Sequence, residues 1–107
     1  MEDLFAKFLP QFVSLAHTRI KTALDSADKL DTAAIKTTVR ELHTLAGEAG
    51  LLGLSHVVPL ARDCEQKAKQ LHTSHTEADI AVLVAALHEL ERLIAVVGQG
   101  IGSNNTS

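Results

Sequence analysis

The sequence predicts an all-α domain: an antiparallel up-down-up-down four-helix bundle with a short extra helix at its N-terminus. Three observations predict it. Apolar residues recur at three- and four-residue steps, with Ala and Leu dominant and no long stretch alternating with period two. Glycine and proline are scarce, and three of the six glycines fall at 98, 100 and 102. Connections between the periodic segments are short, which makes successive helices antiparallel neighbours. At 107 residues, 46% hydrophobic and 21% charged, the chain suits one globular domain.

Residues 2–27 carry Phe5, Phe8, Phe12, Leu15, Ala16, Ile20, Ala23, Leu24 and Ala27 along one face. Pro10 interrupts this stretch, so a short helix followed by a longer one starting near Pro10 is expected. After a connection over 28–31, Asp31 or Thr32 caps a second helix. Its stripe is Ile35, Val39, Leu42, Ala46 and Ala49, and Gly53 ends it. Ser55 can cap a third helix with Pro59 near its first turn and the stripe Val57, Leu60, Ala61, Cys64, Ala68 and Leu71. Residues 72–75 read as a loop, and Thr76 with Asp79 as a capping box. The last helix carries Ile80, Leu83, Val84, Leu87, Leu90, Ile94 and Val97 and is expected to stop at Gly98. The bundle therefore spans residues 1–97, and 98–107, of linker composition, is expected to be a flexible tail.

Composition excludes several functions. Net charge is −3 and aromatics are 3%, so the chain offers neither a basic field for a nucleic-acid backbone nor stacking platforms for bases. The one cysteine, Cys64, cannot form an intramolecular disulfide. The longest apolar run, 80–87, is far too short for membrane insertion, and the opening Met-Glu-Asp does not read as a signal peptide. A cytoplasmic domain is expected. Six histidines invite a metal reading, but no Glu is followed by His three residues on, and His72 and His75 form the only His-x-x-His, in a polar loop without an assured third ligand. No metal and no cofactor are expected. Neither a Gly-x-Ser-x-Gly elbow nor a phosphate loop with Gly-Lys-Ser/Thr occurs. No complete enzyme active site is visible.

One stretch departs from economical helix design. Gly47 and Gly50 fall inside the second helix, each costing about 1 kcal/mol against alanine. With Ile35 as zero, Val39, Leu42, Ala46 and Ala49 lie within about 40° of it, whereas Lys36, Arg40, His43, Gly47 and Gly50 lie at about 60° to 140°. Glu41, Thr44 and Glu48 fall further round, towards solvent. Side chains lean towards the helix N-terminus, so a residue at 47 would cover His43, and glycine leaves the imidazole open. Lys36 and Arg40 add positive charge along the same strip. The plain alternative is a surface histidine beside two glycines that permit close helix packing. Of the six histidines, only His43 is followed by Gly four residues on.

The run His43-Thr-Leu-Ala-Gly47-Glu-Ala-Gly50-Leu-Leu-Gly53-Leu54 resembles the signature of histidine phosphotransfer (HPt) domains, including the related phosphoacceptor domain of chemotaxis kinases. Val57, Leu60, Ala61, Cys64 and Glu65 continue the resemblance. It covers the whole bundle in helix order, but only residues 39–65 are specific. The family usually has Lys three residues after the histidine, beside the phosphoryl group, where this chain has Ala46. Its absence either weakens charge stabilisation of the phosphorylated histidine or is made up in part by Lys36 and Arg40, in which case Arg40 contributes more than Lys36.

The resemblance implies a phosphorelay carrier. His43 would accept a phosphoryl group from a phospho-aspartate of a response-regulator receiver domain, or from ATP in a separate sensor histidine kinase, and pass it to another aspartate. Mg²⁺ would come from the partner. Gly47, Arg40, Lys36 and Gly50 would form the phosphoryl environment, with Leu51, Leu52 and Leu54 as the docking surface. A monomer is expected. The alternative class is a helical protein–protein interaction module with His43 incidental. A phosphoacceptor domain cut from a larger hybrid or chemotaxis kinase fits the same sequence.

Overall fold

In the computed structural model, the backbone is described for residues 2–29 and 31–106 and side chains for 7–29 and 31–100. Helices α1 (Glu2–Ala27), α2 (Thr32–Leu51), α3 (Val57–Ser74) and α4 (Glu77–Thr106) follow one another, and there is no strand among the described residues. Each helix packs on its sequence neighbours and α4 closes on α1. This is the expected four-helix bundle, 47 × 22 × 18 Å. Its core joins Phe12, Ile20, Ile35, Leu42, Leu45, Leu71, Leu87, Leu90 and Ile94, among others, from all four helices. Small residues (Ala16, Ala23, Ala49, Ala61, Cys64 and Ala68) bring the helices close.

Local chemistry sets most of the boundaries. The Asp31 carboxylate accepts from the Ala33 N–H at 3.3 Å and caps α2. At the other end Gly53 takes φ 69°, the Leu54 N–H donates to the Ala49 carbonyl at 2.9 Å, and the Gly53 N–H to the Gly50 carbonyl at 3.1 Å. That is a Schellman motif, with Leu54 as its apolar anchor against the core. Thr76 Oγ1 accepts from the Asp79 N–H at 3.2 Å, which is half of the expected capping box; the Thr76 N–H goes instead to Ser74 Oγ at 3.4 Å, whose hydroxyl donates to the Asp79 carboxylate.

Four expectations are corrected. No separate short helix precedes Pro10, which lies inside a continuous α1. Proline removes one backbone hydrogen bond, and burial of Phe12, Ala16 and Ile20 just beyond it holds the helix in place. Ser55 does not cap α3. The cap is His56, and the Leu54 carbonyl receives the first N–H groups, from Val57 at 3.0 Å and Val58 at 3.2 Å. Pro59, third in the helix, has no N–H to leave unpaired. Residues 72–74 form the last turn of α3 rather than a loop, and His75 closes it in the left-handed conformation (φ 52°, ψ 38°).

The last helix does not stop at Gly98; it runs to Thr106, and Ser107 lies outside the described residues. A Cβ on Gly98 would meet Val13 Cγ1 of α1 at 3.3 Å, so this glycine marks a close approach of two helices rather than a cap. A Cβ on Gly47 would meet nothing within 4 Å. Gly47→Ala is therefore expected to raise unfolding stability by up to about 1 kcal/mol, and Gly98→Ala by less, because Val13 must give way. Denaturant titration of the two variants checks the ordering.

Candidate functional site

The α2 strip that flanks the core stripe faces α3, and His43 stands on it with its side chain 77% exposed. Directly across is Glu65 of α3, which adjoins Cys64 on the apolar stripe and is itself only 7% exposed. A carboxylate in that position needs partners, because burying an unpaired charge is costly. It has two. His43 Nδ1 lies 3.0 Å from Glu65 Oε2, and Lys69 Nζ, one turn further along α3, lies 3.3 Å from the same oxygen. An ionised carboxylate can only accept, so in the neutral ring this contact places the proton on Nδ1 and leaves the lone pair on Nε2. The pair fixes both the tautomer and the orientation of the ring.

The glycines answer the packing alternative. Gly47 has open space where a Cβ would stand, and at Gly50 a Cβ would make an ordinary contact of 3.9 Å with Val58 Cγ2. Close helix packing does not require glycine at either position. Position 47 leaves open space one turn beyond His43.

The expected cations are placed unevenly. Lys36 lines a groove of about 280 Å³ between α2 and α3 with Val39, Lys69, His72 and Thr73, but His43 is not part of that lining. Arg40 is exposed, and among the described residues neither it nor Lys36 takes part in a salt bridge. Ala46 is 4% exposed and belongs to the core. The cation that reaches the His43–Glu65 pair is Lys69.

The three expected docking leucines separate. Leu51 projects from the end of α2, 86% exposed. Leu52 and Leu54 are half-buried and pack against the core, Leu54 as the anchor of the α2 cap. On α1, Phe8 and Leu15 are also exposed. Arg19 of α1 pairs with Glu41 and Glu48 of α2, so Glu41 and Glu48 face α1 rather than solvent. Because α1 and α2 are antiparallel, Leu15, one turn before Arg19, falls towards the Leu51 end of α2. Burial works against the Arg19 charge, but the hydrogen bond to Glu41 and the charges of Glu48 and Glu41 outweigh it, holding the guanidinium above its usual value.

Helical periodicity alone does not single out Glu65 and Lys69 as partners of the histidine. Their signal in the sequence is an acidic residue adjoining the apolar stripe of α3 with a lysine four residues on. Periodicity leaves open the lateral register of α3 against α2, and the contact depends on that register. Cys64 behaves as the small core residue expected. Burial pushes its thiol up to about 12, far from a reactive thiolate at neutral pH. His72 and His75 lie at the far end of α3, their ring centres 6.3 Å apart.

The profile of the Hpt domain matches residues 7–97, and the chain therefore belongs to the Hpt-domain family. Domains of this family carry phosphoryl groups in phosphorelays, with response regulators and histidine kinases as partners, and are not classical enzymes. Neither the curated proteins nor the solved structures compared with the chain gave a match. Among the described residues no helix is long and apolar enough to cross a membrane.

Proposed function

We propose that His43 Nε2 is the phosphoacceptor of this domain and exchanges the group with an aspartate of a response-regulator receiver. The observation that carries the reading is the 3.0 Å contact between Nδ1 and the buried Glu65 on an otherwise exposed ring. In the loading step the Nε2 lone pair attacks phosphorus, the N–P bond forms, and the aspartyl P–O bond breaks to release a carboxylate. Nδ1 keeps its proton, so the phosphorylated ring bears a positive charge that the Glu65 carboxylate stabilises. In the reverse step the ring departs as neutral imidazole rather than as imidazolate, which favours transfer out.

In this reading the chain supplies a nucleophile and its orientation, and acts as a carrier. The receiver or kinase brings Mg²⁺ and most of the transition-state charge stabilisation. Leu51, exposed two turns beyond His43 on α2, offers the partner an apolar contact, and Leu15 and Phe8 on α1 extend the exposed apolar surface. A helical interaction module with an incidental histidine would assign no role to the buried carboxylate aimed at that ring.

Incubation with a phosphorylated receiver should place one acid-labile, base-stable phosphate on the chain. His43→Gln should remove it with helicity unchanged, because the side chain is exposed. Undiminished labelling of that variant would move the site to another histidine.

A further inference from the structure

We propose that Lys69 is the charge-stabilising residue for the loaded histidine: on phosphorylation of His43 its ammonium turns from Glu65 to the phosphoryl oxygens. It thereby fills from α3 the role that position 46 leaves vacant on α2. The proposal rests on the reading of His43 as phosphoacceptor.

Two groups compete for one oxygen in the unloaded site. Glu65 Oε2 takes both the Nδ1 proton of His43 at 3.0 Å and the Lys69 ammonium at 3.3 Å. When Nε2 gains a phosphoryl group, a dianionic centre arrives a few ångströms from the Glu65 carboxylate. The ring, now cationic, binds Glu65 more strongly through Nδ1–H, and Glu65 needs Lys69 less. The phosphoryl oxygens need a cation more. Lys69 is free to answer, since its side chain is half-exposed and on a flexible stem, while Glu65 is held in the interface. Lysine at position 46 would start from the core, where Ala46 packs. Lys36 sits on the far wall of the groove that Lys69 also lines, and among the described residues Arg40 makes no hydrogen bond or salt bridge to the His43–Glu65 pair.

The test uses phosphoimidazole as donor, so that no partner protein contributes charge. The N–P bond of the donor breaks, an equivalent bond to His43 Nε2 forms, and neutral imidazole leaves. Because the bond broken and the bond formed are alike, the exchange constant, read by ³¹P NMR, reports the protein environment. Lys69→Met should lower it about fivefold at low ionic strength and less in high salt, as expected for one charge several ångströms away. Lys69→Arg should restore it. The effect should persist in a Glu65→Gln background, since Lys69 acts on the phosphoryl group and not only by balancing Glu65. An unchanged constant overturns the proposal, as does an effect that disappears with Glu65→Gln. So does a loss produced by Arg40→Ala in place of Lys69→Met. Failure of the unmodified chain to take phosphate on His43 would instead overturn the carrier reading itself.

Discussion

Glu65→Leu is expected to slow phosphoryl transfer between His43 and a receiver aspartate by one to two orders of magnitude. In the proposed role the carboxylate would do two things at the ring: fix Nδ1 as the protonated nitrogen, and stabilise the ring cation formed once Nε2 carries phosphate. A hydrogen bond to a charged group contributes about 1.5–3 kcal/mol, which corresponds to roughly ten- to a hundredfold in rate if it acts in the transition state. Glu65→Gln separates the two roles. Its amide oxygen can still accept from Nδ1–H, so orientation survives while the negative charge is lost, and a loss of about tenfold is expected. Quenched transfer reactions with the two variants measure this, with chemical denaturation as a check on folding. Wild-type rates in both would make Glu65 a packing residue only.

The second large effect is expected at Gly47. Position 47 lies one turn beyond His43, and helical side chains lean back towards the preceding turn. A Cβ there meets nothing within 4 Å, so Gly47→Gln should fold normally. Its longer side chain, however, would lie over the imidazole and obstruct an in-line approach to Nε2. Transfer should fall by about tenfold or more, since small misplacements of reacting groups carry penalties of this size. Gly47→Ala, with its short side chain, should stay close to wild type in rate while gaining stability. If Gly47→Gln transfers as fast as Gly47→Ala, the glycine does not keep the approach open.

What is legible in the sequence follows the range of the interactions involved. Asp31, Gly53 and Thr76 act on their own neighbours, and each closes or opens a helix as expected. Pro10 and Gly98 mislead for one reason: local propensity favours a break, and the continuous helices α1 and α4 override it. At Gly98 the override is visible as the close approach of Val13. His43 stands out as the candidate because its helix carries two otherwise costly glycines on the same strip. Glu65 is not legible as its partner, because the contact depends on how α3 lies against α2. The same register decides that Lys69, rather than Lys36 or Arg40, meets the pair, and that Glu41 and Glu48 turn to Arg19. The leucines after His43 look like one docking surface in the sequence, yet the Schellman motif draws Leu54 inward and leaves Leu51 outside.

The most direct measurement of the central claim is the position of phosphorus on the loaded protein. Heteronuclear NMR of the uniformly ¹⁵N-labelled chain, phosphorylated by a receiver or by phosphoimidazole, resolves which ring nitrogen is bonded to phosphorus and which bears a proton. The structure predicts one linkage, at Nε2 of His43, with the Nδ1 proton retained and shifted by its hydrogen bond to Glu65. Phosphorus on Nδ1 of His43, or on any of the other five histidines, would contradict it.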